Sequence, residues 1–282
     1  MNHPVIAEGN VAVVTGGGSG IGLAAARRFA EAGMVVAIVD RLPERLEAAK
    51  DAIAETAPAA KILAFDTDVG DRAAVEALAN DLFGRYGAVH LVLDNAGIQP
   101  GSDIFDTSGT WDAVLRTNLV GAVQVAQIFA ERMVASGAPG LVVVTGSKQG
   151  ITMPPGNPAY NVSKAGLKAF TEALQHDLRS RDGCRVEARL LIPGFVYTAL
   201  TKGDRTEKPA GAWTPEQTID FMLEKLATDE FYILCPDGEV TRAMDEKRIA
   251  WTAGDIIENR PPLSRWHKDW ADRFKAWAAR SD

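Results

Sequence analysis

"VAVVTGGGSGIG", residues 11–22, decides how the rest of the chain is read. An apolar, β-branched run leads into a glycine-rich turn, and the turn opens a helix. Glycines let the backbone reverse sharply and approach a phosphate with no Cβ in the way. The first N–H groups of the following helix then face an anion. In this strand–turn–helix context the pattern points to a bound dinucleotide, with Gly16, Ser19, Gly20, Ile21 and Gly22 around its pyrophosphate. Without a ligand the same turn is an ordinary connection between strand and helix.

Outward from this stretch, apolar runs alternate with helical patterns. Strands are expected at 11–16, 34–40, 61–69, 89–97, 141–147 and 186–194, with a seventh at 231–236. Helices are expected at 21–33, 43–57, 72–87, 110–136 and 158–181. Continuous β-branched strands separated by helices predict an α/β fold: a doubly wound parallel sheet of about seven strands, covered on both faces. Ligands of such a sheet sit beyond the carboxyl ends of its strands. Residues 1–282 read as a single domain. "TKGDRTEKPAGAWTPEQT" (201–218) is polar and rich in glycine and proline, and predicts a helical lid over about 195–228. Phe195, Tyr197, Trp213 and Phe221 in the lid, with Met153, Pro154 and Pro155, are expected to shape the substrate pocket. A C-terminal extension, about 237–282, carries helical patterns at 241–257 and 264–280. Its Trp251, Trp266, Trp270 and Trp277 either pack on the body or a neighbouring subunit, or wall a pocket.

Composition narrows the function. The formal net charge of -7 argues against a nucleic-acid partner, which selects a basic face. No run reaches the ~18 apolar residues of a membrane span. The opening "MNHPVIAEGN" predicts no signal peptide. Two cysteines without a CxxC motif, Cys184 and Cys235, predict a reducing, cytoplasmic setting. The four histidines form no metal-ligand spacing, so no metal is expected.

Asp40 ends the second strand, 18 residues beyond Gly22. A carboxylate there accepts hydrogen bonds from an adenosine ribose and repels a 2′-phosphate, which favours NAD(H) over NADP(H). Arg41 follows it and offers a phosphate partner instead; the alternative is that Asp40 merely caps the next helix. Tyr160 and Lys164, in "YNVSK", stand one helical turn apart and share a face. A phenol ordinarily ionises near ~10. A cation ~4 Å away lowers that by ~3 units at an effective dielectric of ~20. Lys164, aided by the positive charge of an oxidised nicotinamide, would lower Tyr160 by about that much, and Tyr160 would then exchange a proton with an alcohol or ketone oxygen as hydride moves. Ser147, at the end of the fifth strand, would orient that oxygen. Lys148 and Gln149, which follow it, either line the pocket or face solvent.

Taken in order, "TGGGSGIG" (15–22), Asp40, "DV" (68–69), "NAG" (95–97), Asn118, Ser147, "YNVSK" (160–164) and "PGFVYT" (193–198) resemble the short-chain dehydrogenase/reductase family. The resemblance covers roughly residues 10 to 200. It implies a Rossmann-type fold, a catalytic tetrad of Asn118, Ser147, Tyr160 and Lys164, and a Lys164 that also holds the cofactor ribose. It implies that Asp68 and Val69 contact the adenine and that Asn95, Ala96 and Gly97 line the cofactor site. Pro193, Gly194, Val196 and Thr198 are implied to border the nicotinamide. It further implies an oxidoreductase acting on a small-molecule alcohol or ketone, assembled as a homodimer or homotetramer. The competing reading is a dinucleotide-binding sensor or scaffold without turnover.

Overall fold

In the computed structural model of the protein, residues 3–238 and 240–280 are described. Residues 1–2, 239 and 281–282, which the expected domain and extension include, lie outside them. The strands are β1 (Val11–Thr15), β2 (Val35–Asp40), β3 (Ile62–Asp66), β4 (Leu91–Asp94), β5 (Gly140–Thr145), β6 (Val186–Ile192) and β7 (Tyr232–Leu234). They form a seven-stranded sheet in the order β3-β2-β1-β4-β5-β6-β7, and each adjacent pair is parallel. The helices are α1 (Gly20–Glu31), α2 (Pro43–Ala54), α3 (Arg72–Tyr86), α4 (Thr110–Leu115), α5 (Ala122–Ser136), α6 (Gln149–Thr152), α7 (Pro158–Arg179), α8 (Pro215–Leu226), α9 (Arg242–Ile257) and α10 (Ala271–Ala278).

Both faces of the sheet are covered, and single strands show why. In β1, Ala12 and Val14 join one buried cluster with α1, α2 and α8 residues such as Phe29, Ile53 and Met222. Val11 and Val13 join the other, with Leu82, Phe129 and Leu167 from α3, α5 and α7. A strand whose alternate residues both meet helices has no polar face, hence the continuous apolar runs. Chain order reverses around β1, whose neighbours are β2 and β4, so a crevice opens beyond the carboxyl ends of β1 and β4.

Three expectations are revised. The long helix at 110–136 is interrupted by a π turn, Arg116–Gly121, between α4 and α5. The whole segment, Thr110–Ser136, is apolar and long enough to cross a membrane, but half of its most apolar window is buried inside the protein. The expected lid separates into two parts: α8 buries Thr218, Ile219, Met222 and Leu226, while 195–213 runs as a loop past the strand ends. The final helix expected at 264–280 is a short 3₁₀ turn (Ser264–Trp266) followed by α10. Leu263, at φ 56°, sets the turn's start, after the Pro261–Pro262 pair.

Candidate active site

The glycine turn is built for close approach. Gly16 and Gly20 take φ of 65° and 54°, conformations that favour glycine. A Cβ on Gly18 would stand 2.8 Å from Asp40 Oδ2, and one on Gly22 would stand 2.2 Å from the Gly16 carbonyl oxygen. Ser19 makes no side-chain capping bond to α1. The first-turn N–H groups of α1 therefore remain for an anion at the positive end of the helix dipole. A cleft of about 290 Å³ lies over this turn, and Gly16, Ser19, Gly20, Ile21, Asp40, Arg41, Asp68, Val69, Asn95, Ala96, Gly97 and Thr198 line it. Glycines without room for side chains, free helix N–H groups and a carboxylate at the end of β2 together fit a dinucleotide.

At the adenosine end, Asp40 Oδ1 accepts a hydrogen bond from the Leu42 amide at 3.2 Å. It thus steadies the start of α2 while also lining the cleft. Arg45 lines the same end and was not anticipated; its place one turn into α2 was the only sequence signal. Asp68 Oδ1 accepts from the Gly70 amide at 2.8 Å, and Oδ2 accepts from Arg116 at 2.8 Å. Desolvation raises the Asp68 carboxyl, but the Gly70 amide and the Arg116 guanidinium outweigh it and hold the group below the usual carboxylate range.

A second cleft of about 80 Å³ continues from the first, sharing Ile21, Asn95, Gly97, Thr198 and Leu200. Ser147, Tyr160, Lys164, Pro193, Gly194 and Val196 line it. Sequence reasoning missed Thr145, Gly146, Leu200 and Thr201 here, which only the convergence of β5 and the 195–213 loop reveals. Of the expected tetrad and cofactor residues, two line neither cleft. Gly22 packs beneath the turn. Asn118 is fully buried in the π turn. Its side chain accepts from the Ile98 amide at 2.7 Å and donates to the Ile98 carbonyl at 2.8 Å. Asn118 therefore fixes the backbone just beyond "NAG" rather than facing the cleft.

Tyr160 and Lys164 do share a face of α7, and both are buried. In the protein alone the direction differs from the one expected of an ammonium and a nicotinamide together. Burial pushes the Tyr160 phenol up to about 12, opposed only by the neighbouring Ser147 hydroxyl. The Lys164 ammonium lies 5.7 Å from the phenol ring centroid and donates to the Thr145 carbonyl at 2.8 Å. Desolvation of the packed ring is the largest contribution to that shift. Burial likewise lowers Lys164 to about 8, against a raising contribution from Asp94. Asp94, at the end of β4, is buried too, and desolvation raises it to about 7. Its Oδ1 accepts from Thr15 Oγ1 at 3.1 Å, and that same hydroxyl accepts from the amides of Asn95 and Ala96 at 2.8 and 3.0 Å. The "NAG" backbone is thereby locked to the end of β1.

The aromatic residues expected around the substrate line neither described cleft. Trp213 packs edge-on against Phe221 with centroids 5.6 Å apart, beside the α1–α8 core. Phe195 lies under the Arg205 guanidinium, and the Tyr197 hydroxyl donates to the Arg205 carbonyl. Met153, Pro154 and Pro155 line neither described cleft. In the extension, Trp251, Trp270, Trp277 and Phe274 pack into a cluster of their own. Lys148 lines neither described cleft and is not on the open surface; it is half-buried in an ion cluster.

A doubly wound sheet with a glycine cradle and a phenol–ammonium pair along one continuous cleft defines a dinucleotide-dependent oxidoreductase class. Residues 10–209 match the family model described as short chain dehydrogenase, and the chain belongs to the short-chain dehydrogenase/reductase family. It is 33% identical to 1-deoxy-11-beta-hydroxypentalenate dehydrogenase of Streptomyces avermitilis, over 86% of this chain and 90% of that one. It is 34% identical to levodione reductase of Leifsonia aquatica, over 68% of this chain and 71% of that one. A short chain dehydrogenase/reductase from Burkholderia phymatum, solved in complex with NAD, superposes with a TM-score of 0.80. That structure is 29% identical, with 90% of this chain and 96% of its own covered.

Proposed function

We propose that the protein transfers a hydride between NAD(H) and a secondary alcohol or its ketone, with Tyr160 as the general acid/base. The observation that carries this reading is the wall of the smaller cleft. Ser147, Tyr160 and Lys164 line it together, and it opens into the glycine cradle through shared residues. Bound with its pyrophosphate over α1, the dinucleotide would supply the hydride donor or acceptor. Asp40 favours an unphosphorylated ribose and hence NAD(H) over NADP(H), and the NAD held by the Burkholderia relative supports that choice.

Within this reading Ser147 donates a hydrogen bond to the reacting oxygen and holds it against the phenol. Tyr160 gives its proton to that oxygen as hydride reaches the carbon in ketone reduction, and the phenolate left behind regains a proton along the Lys164 path. Alcohol oxidation is the reverse, the phenol first passing its proton to that path and the phenolate then taking the alcohol proton. A phenol raised to about 12 is fully protonated at neutral pH, so it acts as an acid without prior ionisation. Lys164 uses one ammonium proton on Thr145 and has two left for the cofactor ribose and its proton path. Asn118 positions Ile98 and the π turn around the same region.

An apolar or aromatic substrate is supported by Ile98 and Leu200 on the cleft walls and by exposed Ile104 and Phe105 on the adjoining loop. Half-exposed Val120 and Val162, on the π turn and α7, support a homodimer or homotetramer. The two unpaired cysteines support a cytoplasmic setting. We read the chain as a single Rossmann-type domain with its C-terminal extension docked on it. The test is cofactor absorbance with a panel of aryl ketones and secondary alcohols. Reduction of at least one ketone, faster with NADH than with NADPH, is expected. NADH binding with no turnover on the whole panel would favour the sensor reading instead.

A further inference from the structure

We propose that Lys148 is a positioning residue, through which the C-terminal extension sets the two backbone segments bordering the inner cleft, 146–148 and 193–195. The functional weight of those segments rests on the reading of the cleft given above. Lys148 follows Ser147 directly. Its own amide donates to the Pro193 carbonyl at 3.2 Å. Its ammonium donates to Asp237 Oδ2 at 3.2 Å and pairs with Asp245 Oδ2 of α9 at 2.5 Å. The side chains of Lys148, Asp237 and Asp245 are 14%, 13% and 5% exposed, so the cluster is shielded from water and from salt.

Asp237 also reaches the second segment. The same Oδ2 accepts from the Phe195 amide at 3.4 Å. A Cβ on Gly194 would stand 2.3 Å from that oxygen, so only glycine lets the carboxylate sit on the chain there. Asp237 therefore links the backbone after Pro193 to the side chain beside Ser147, and Asp245 brings α9 onto the same ammonium.

Taking one charge fully and two partly out of water costs stability unless each is satisfied, and an apolar contact would dock the extension as well or better. What the ion cluster adds is direction. One ammonium hydrogen-bonded to Asp237 and ion-paired with Asp245 favours a single placement of the Ser147 and Pro193–Phe195 segments. The expected helix at 241–257 thus has a role that the glycine turn and α7 do not supply.

The test is hydrogen–deuterium exchange on Lys148→Met, Lys148→Arg and Asp245→Asn, with steady-state kinetics alongside. In Lys148→Met, amides within 144–152 and 193–200 should exchange about tenfold faster or more, as expected for the loss of one charge-assisted hydrogen bond. Lys148→Arg should recover much of the protection, and kcat should fall more than the KM for NADH rises. If Lys148→Met does not fold, Asp245→Asn decides by the same comparison. Unchanged exchange in both segments, or acceleration confined to α9 and α10, would overturn the proposal and leave Lys148 an anchor of the tail. A wild-type protein without turnover would refute the proposed reaction, while the exchange data would still decide the role of Lys148.

Discussion

Two glycine-to-alanine substitutions should move stability in opposite directions. At Gly22, in the first turn of α1, an added Cβ would stand 2.2 Å from the Gly16 carbonyl oxygen and 2.8 Å from its carbon. It would also meet Asn95 Nδ2 at 3.0 Å. The two closest contacts are backbone, so no rotamer relieves them, and α1 must back away from the turn by about 1 Å to reach ordinary contact distance. Overpacking of this kind costs about 1–3 kcal/mol, or about 2–10 °C in Tm for a chain of this size. The same displacement withdraws the helix N–H groups from the cleft, so NADH should bind about tenfold more weakly, equivalent to ~1.4 kcal/mol. Gly84 is exposed in the last turns of α3 and has no heavy atom within 4 Å of an added Cβ. There alanine removes only backbone freedom from the unfolded chain and should stabilise by about 0.5–1 kcal/mol. Differential scanning fluorimetry with and without NADH reads both effects. Gly22→Ala melting and binding like wild type, or Gly84→Ala destabilised as much as Gly22→Ala, would refute the account of the cradle.

Three further outcomes are expected. Asp40→Ala should weaken NAD(H) binding and narrow the preference over NADP(H); an unchanged ratio of the two affinities would remove Asp40 from cofactor selection. Asp94→Asn should gain stability relative to wild type as pH rises from about 4 to about 8. Burial raises the folded-state carboxyl to about 7 from an ordinary 3.8, so its neutral form favours the fold at low pH and that contribution is lost as it ionises. A Tm difference constant across this range would show that Asp94 does not titrate there. Trp251→Ala should cost about 3 kcal/mol in urea unfolding. The ring is buried, donates from Nε1 to Ser264 Oγ at 2.7 Å and carries the Arg260 guanidinium 4.0 Å above it. A loss below about 1 kcal/mol would mean the aromatic cluster is not part of the cooperative fold.

Much of the architecture was legible because its signals are local. Strand, glycine turn and helix succeed one another within residues 11–31, and the apolar run of β1 announces a sheet covered on both faces. The π turn was not legible, since one widened turn leaves the apolar spacing of 110–136 nearly intact. Yet it is what buries Asn118 and aims its amide at Ile98. Lys148 read as pocket wall or surface because its acceptor Asp237 lies 89 residues further on. Trp213 read as pocket wall because nothing in its neighbourhood announces that it packs edge-on against Phe221 beside α1. The pairing of Tyr160 with Lys164 was readable from their spacing, but the sign of the phenol's shift was not. That sign depends on how deeply α7 buries the ring, and desolvation is the largest contribution to it.

The central claim is that Tyr160 moves a proton at a site where the dinucleotide is already held by other residues. Replacing Tyr160 with phenylalanine removes one hydroxyl from a buried ring and leaves the glycine cradle, Asp40 and Lys164 in place. Measured side by side on one sample, NADH affinity should stay within about twofold of wild type, while turnover should fall by at least about 100-fold, the scale of a lost general acid. Turnover that persists near the wild-type rate would contradict the claim. So would a loss of NADH affinity as large as the loss of rate.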